Sequence, residues 1–156
     1  MADNAAITST THINFRGNAR EALGFYHSVF GGQLNLVTNR EAGEGYLPEE
    51  ADQIIWGQVG DGRGFRVMGY DVPSTMPWAL GENAYFVAVE SDTAERVAGH
   101  WNKLSEGANI VHPLSPAKWS AMYGMLKDRF GVVWALSVVQ PYNADARVSC
   151  ARLDCA

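Results

Sequence analysis

A strand–helix–glycine unit occurs twice in this chain, and that repetition limits what it can fold into. Thr11-His12-Ile13-Asn14-Phe15 alternates as a strand does, and a helical spacing follows through Ala19, Ala22, Leu23, Tyr26 and Val29 up to Gly31-Gly32. Ala84 to Val89 again reads as a strand. A second helical spacing runs from Ser91 through Ala94, Val97, Ala98, Trp101 and Leu104 to Gly107. Two such units in one short chain predict a duplicated fold whose halves share a cavity.

The remaining elements fit the same repeat. Asn18 is placed to cap the first helix, with Glu21 as its capping-box partner. Gln33–Arg40 alternates as a half-buried strand, and the polar stretch from Glu41 to Asp52 reads as a loop with room for a short helical turn. Ile54–Val59 and Phe65–Tyr70 are two strands joined by Gly60-Asp61-Gly62-Arg63-Gly64. A phosphate-binding loop of that spelling needs a helix after it, but Phe65-Arg66-Val67-Met68 alternates, so the segment reads as a hairpin turn. In the second half, strands are expected at Ile110–Leu114, Trp119–Lys127 and Val132–Val139, with Asp128-Arg129-Phe130-Gly131 turning into the last. Each half thus reads strand, helix, strand, strand, strand. The expected organisation is a lead (1–9), a first module (10–72), a connector around Pro73–Trp78 (73–82), a second module (83–141) and a tail (142–156).

Composition narrows the function. Of 156 residues 47% are hydrophobic and 19% charged, which fits an ordered globule. The formal charge of −5 lacks the basic footprint of a nucleic-acid binder. No apolar run reaches the ~20 residues that span a bilayer. Met1-Ala2-Asp3-Asn4 lacks the basic and apolar regions of a secretory signal, so a cytoplasmic location is the expectation. Cys150 and Cys155, both near the C-terminus, have neither redox nor zinc spacing and read as free thiols.

Two stretches resemble the PhnB-like branch of the vicinal-oxygen-chelate superfamily, which contains glyoxalases, bleomycin-resistance proteins and extradiol dioxygenases. One is Asn14-Phe15-Arg16-Gly17-Asn18-Ala19-Arg20-Glu21-Ala22-Leu23 with Phe25-Tyr26 and Val29-Phe30-Gly31-Gly32. The other is Trp119, Tyr123-Gly124 and Asp128-Arg129-Phe130-Gly131-Val132-Val133-Trp134. The resemblance implies an α+β fold. Two βαβββ modules would form a curled, eight-stranded mixed-sheet cup with the helices on its convex side. It also implies a homodimer, with module exchange through the connector as one route to it.

Metal-dependent members of that superfamily carry histidine and glutamate on the first and last strands of each module. Setting cap Asn18 on Ser91 and Gly64 on Gly131 makes those four positions His12, Met68, Tyr85 and Ala135. One imidazole does not hold a hard divalent ion, so no metal and no cofactor are expected. Strand parity turns His12, Asn14 and Arg16, then Arg66, Met68 and Tyr70, then Tyr85 and Val87, then Ala135 and Ser137, towards the cup. Trp56, Trp119 and Tyr123 are placed at its mouth. His27 and His100 belong to the helices, and the parity of His112 is open.

The expected pocket therefore comprises His12, Asn14, Arg16, Trp56, Arg66, Met68, Tyr85, Trp119, Tyr123 and Ala135, a mix of aromatic and polar groups suited to a small anionic or aromatic molecule. The first functional reading is a metal-free binding protein. The alternative is a lyase, transferase or dioxygenase, using either unusual metal ligands or His12 as an acid–base group. Ubiquinone-precursor methyltransferase labels also occur in this branch, but Arg16-Gly17-Asn18 is no glycine-rich methyl-donor loop.

Overall fold

The computed structural model describes residues 8–43 and 45–140. The first module contains β1 (Thr11–Phe15), α1 (Ala19–Phe30), β2 (Gln33–Thr38), a short α2 (Asn39–Ala42), a 3-10 turn (Pro48–Glu50), β3 (Ile54–Gly60) and β4 (Arg66–Asp71). The second contains β5 (Val87–Ser91), α3 (Ala94–Leu104), β6 (Asn109–Ala117), β7 (Ser120–Lys127) and β8 (Val133–Val138). The strands form two four-stranded mixed sheets, β1-β4-β3-β2 and β5-β8-β7-β6. In each, the first strand runs parallel to the fourth and the other neighbours are antiparallel. This is the α+β double βαβββ arrangement, an open curled cup rather than a closed barrel. The tail cysteines Cys150 and Cys155 lie outside the described residues.

One face of each sheet lies under a helix. Ile13, Phe15, Val59 and Val67 pack beneath Leu23, Tyr26 and Val29 of α1, while Leu126, Trp134 and Leu136 pack beneath Val97, Trp101 and Leu104 of α3. The closest approaches use a glycine on the third strand of each module. A Cβ at Gly57 would overlap Leu23 Cδ1, and one at Gly124 would come within 2.7 Å of the Trp101 ring. The same apolar cluster continues across both modules.

The link between modules is polar at its centre. Asp128 is buried, and Oδ1 accepts from the Phe130 and Val132 amides at 2.8 and 2.9 Å. Oδ2 accepts from Tyr26 Oη on α1 at 2.7 Å and from Trp134 Nε1 on β8 at 2.9 Å. Burial, followed by the charge of Asp128, pushes the Tyr26 hydroxyl far above the usual tyrosine range, so it remains a donor. Around this node Tyr26 meets Trp134 edge-on, Phe30 tilts against Trp134, and the Arg129 guanidinium sits 4.2 Å over Phe25. From α3, His100 Nδ1 reaches Val29 O and Lys103 Nζ donates to Ser28 O, so the second helix satisfies carbonyls of the first.

Several local expectations are corrected. The Asn18 side chain makes no capping bond. Instead Asp71, at the end of β4, accepts from Ala19 N and Ile54 N, both at 2.9 Å. A carboxylate from a distant strand thus occupies the electropositive end of α1. The capping box of this module lies at Thr38 and Glu41, on α2. The second helix is capped by Thr93 rather than Ser91, and β5 begins at Val87, leaving Tyr85 outside the strand. The Gly60–Gly64 segment, by contrast, is the expected hairpin turn: Asp61 N donates to Phe65 O, and Asp61 Oδ1 accepts from Arg63 N and Phe65 N.

Replacing Tyr26 by Phe leaves one lone-pair direction of a buried carboxylate unpaired. The expected loss of stability is about 1–3 kcal/mol, measured by urea denaturation. An unchanged midpoint would show that the inter-module bond contributes nothing.

Candidate functional site

The uncovered face of the first sheet carries His12 and Asn14 from β1 and Tyr70 from β4. They lie opposite the helix-facing Ile13 and Phe15. The Pro73–Trp78 segment and the residues after it fold back over them. Met76, Pro77, Trp78, Ala79, Leu80 and Tyr85 complete a cavity of about 350 Å³ with His12, Asn14, Tyr70 and Val72. None of these ten residues is Asp, Glu, Lys or Arg. His12 Nδ1 lies 3.0 Å from Asn14 Oδ1, and its ring stands edge-on to Tyr70 at 5.5 Å.

The cover is tied down at several points. Trp78 Nε1 donates to Asn14 O at 3.0 Å, and Arg16 Nη2 donates to Met76 O while its guanidinium lies 5.9 Å from the Trp78 ring. Glu50 Oε1 accepts from Ser74 N at 2.8 Å. That backbone bond, with smaller help from the Ser74 side chain and Arg16, holds the Glu50 carboxyl below its ordinary value. Arg16 therefore fastens the connector and is absent from the cavity lining.

The other residues singled out in the sequence occupy different places. Arg66 donates from Nε to Thr10 Oγ1 at 2.6 Å and lines a separate cavity of about 610 Å³ with Gln33, Gln58 and hairpin glycines. Met68 is in register with His12 on the neighbouring strand, and Trp56 pairs with Val37. Trp119 and Tyr123 stand 5.5 Å apart on the second module, and His112 meets Tyr123 at 5.4 Å. Those three form their own aromatic group on β6, β7 and the turn between them. Ala135 is buried, in register with Ala88 and Met125. Tyr85 lines both the His12 cavity and a smaller one, of about 190 Å³, bounded by Asn109, Lys127 and Val133 of the second module.

The strand pairing corrects the comparison of the halves. His12 faces Met68 across β1 and β4, and Ala88 faces Ala135 across β5 and β8. Ala88, not Tyr85, is therefore the counterpart of His12. Val87 is buried on the helix side, so Ala88 and Glu90 take the other face. Two positions of the displacement arise because the second helix is capped by Thr93 rather than Ser91, and the third because Asp92-Thr93 joins β5 to its helix, whereas Arg16-Gly17-Asn18 is one residue longer. The four counterpart positions read His12, Met68, Ala88 and Ala135, a donor set that does not fit a hard divalent ion. Among the described residues no group of three or more His, Cys, Asp or Glu is placed to hold a metal. None of the described helices is long and apolar enough to cross a membrane.

Paired βαβββ modules with uncovered inner sheet faces define the class of fold. A family model for the glyoxalase/bleomycin resistance protein/dioxygenase superfamily matches residues 10–136. The chain belongs to that superfamily. Among solved structures it is similar to protein PA1353 from Pseudomonas aeruginosa, with 28% identity and a TM-score of 0.76, over 87% of this chain and 100% of that one. It is also similar to the PhnB protein from Bacillus cereus, whose name proposes a 3-demethylubiquinone-9 3-methyltransferase. There the identity is 26% and the TM-score 0.63, over 85% of this chain and 100% of that one. A glyoxalase/bleomycin resistance protein/dioxygenase family enzyme from Burkholderia phytofirmans PsJN shares the fold at 19% identity and a TM-score of 0.57, over 86% and 100% of the two chains. Comparison with curated proteins gives no match.

The Glu50 contact makes the cover acid-sensitive. A depressed carboxyl stabilises the fold above its ordinary value of 4.5, and that contribution is lost as pH falls through the lower folded value. Trp78 fluorescence, isolated by comparison with Trp78→Phe, should change over that acid window. Glu50→Gln should abolish the change; an identical profile in the variant would detach the cover from this carboxylate.

Proposed function

We propose that this protein is a PhnB-type binding member of its superfamily, taking a small aromatic molecule in the His12 cavity without a metal ion. The observation that carries the reading is the donor set at the four counterpart positions, where only His12 is a good ligand. Affinity for a divalent ion comes from several donors fixed in one geometry. A thioether and two alanine methyls cannot replace them. The cavity supports binding in its own right. It is concave, walled by Tyr70, Trp78 and Tyr85, and furnished with a few polar groups, the usual composition of a small-molecule site.

Arg16 and Arg66 support an anionic ligand less well than their strand positions suggest. One is bound to the Met76 carbonyl and the other to Thr10. The methyltransferase name carried by the Bacillus cereus protein finds no support in the β1–α1 link, which holds one glycine, Gly17. Association with a second copy belongs to the same reading. Ile110, Val111, Trp119, Tyr85 and Phe86 are exposed large apolar side chains that a second copy would cover. A cytoplasmic location is likewise part of the proposal.

Elemental mass spectrometry of protein purified without a chelating tag should find no near-stoichiometric metal, and a divalent-metal panel should leave the melting temperature unchanged. Stoichiometric metal with clear stabilisation would overturn the reading in favour of a metal-dependent enzyme. Solution scattering should give the mass of a dimer, and a monomeric mass would remove the association.

A further inference from the structure

The His12 cavity combines three features that together select a ligand class, an inference that rests on the binding reading above. First, its lining has no formal charge, since none of its residues is acidic or basic apart from the imidazole itself. A carboxylate or phosphate entering it would meet no fixed counter-ion. Second, the imidazole is oriented. With Asn14 Oδ1, which only accepts, placed 3.0 Å from His12 Nδ1, the arrangement favours the proton on Nδ1. In the neutral ring Nε2 then holds the lone pair, and no described residue donates to it. Third, Tyr70, Trp78 and Tyr85 are aromatic walls of the same cavity.

We infer that the cavity takes an uncharged, planar aromatic molecule bearing one weakly acidic O–H, a phenol or enol, whose proton is donated to His12 Nε2. The ring of the ligand lies among Tyr70, Trp78 and Tyr85. Asn14 is a positioning residue, acting through the tautomer of His12 rather than by touching the ligand. The titratable groups that face His12 are Tyr70 from β4 and Tyr85 from the segment before β5; Asn14 on its own strand and Met68 in register are neutral.

Two measurements on the full chain test this. Long-range proton–nitrogen NMR reads the tautomer directly: His12 should carry its proton on Nδ1, and Asn14→Leu should return the ring to the mixture found in water. A proton on Nε2, or no change in the variant, overturns the inference. Calorimetric titration with 2-naphthol, 2-methoxynaphthalene and 2-naphthoate then reads the ligand class. The naphthol should bind about three- to tenfold more tightly than either of the others, the net of one hydrogen bond. His12→Phe should erase the preference. Tighter naphthoate binding overturns the inference, as does failure of all three probes to bind. In that last case a mixed fragment library separates the two levels. Hits that perturb Trp78 or Tyr85 preserve the binding reading, and none would remove both.

Discussion

The two modules of this protein are held in one piece by a carboxylate that touches both. Asp128 turns the chain into β8 with one oxygen and receives Tyr26 from the first helix and Trp134 from the last strand with the other. A buried charge is tolerated only when its lone pairs are occupied, and here four donors occupy them. The geometry is restrictive, because the tyrosine and indole donors must converge on one oxygen. Helix α1 is thereby placed against β8, and the aromatic contacts of Phe25, Phe30 and Phe130 follow from that placement. The cavity on the far side of β1 inherits its shape from the same fixed arrangement.

A second carboxylate orders the first module internally. Asp71 joins the start of α1 to the start of β3, and it does so from the last position of β4. The strand that carries Met68 and Tyr70 therefore ends in the anchor of the helix behind it. Glu50 then fixes the connector from a 3-10 turn well removed in sequence. The three contacts share one design: a side-chain oxygen satisfies backbone amides that regular structure leaves free. What lies over His12 is thus set by backbone accounting as much as by apolar packing.

The order of elements was legible because strands and helices differ in period. Ile13 and Phe15 against His12 and Asn14 is a period of two, and Ala22, Leu23, Tyr26 and Val29 form a helical face. The closing Asp128-Arg129-Phe130-Gly131 turn was equally readable from its residues. What local pattern could not reveal was any partner chosen at long range. Asn18 has the chemistry of a cap, yet Asp71 does the capping from across the module. Ser91 and Thr93 are both good caps, and the two residues between them, with the one-residue difference in link length, separate Tyr85 from the true counterpart of His12, Ala88. For the site, the parity of His12, Asn14 and Tyr70 was visible, and so was the proline-marked connector. That Trp78 and Met76 would fold back over His12, and that Arg16 would be spent holding them, depends on where a loop lands. His112 beside Tyr123 depended on the irregular register of β6 against β7, which has no local spelling.

The glycines under the two helices bear on the history of the duplication. Gly57 and Gly124 occupy matching strands, and each leaves a notch into which one helix side chain descends. The notch is the same in both halves, but Leu23 fills one and Trp101 the other. An indole is far bulkier than an isobutyl group, so the two notches are filled by different shapes. The halves have kept a common blueprint while losing interchangeability: a chain assembled from two copies of either half would carry a mismatched seam, and could not rebuild the asymmetric joint in which one half supplies the tyrosine and the other the aspartate.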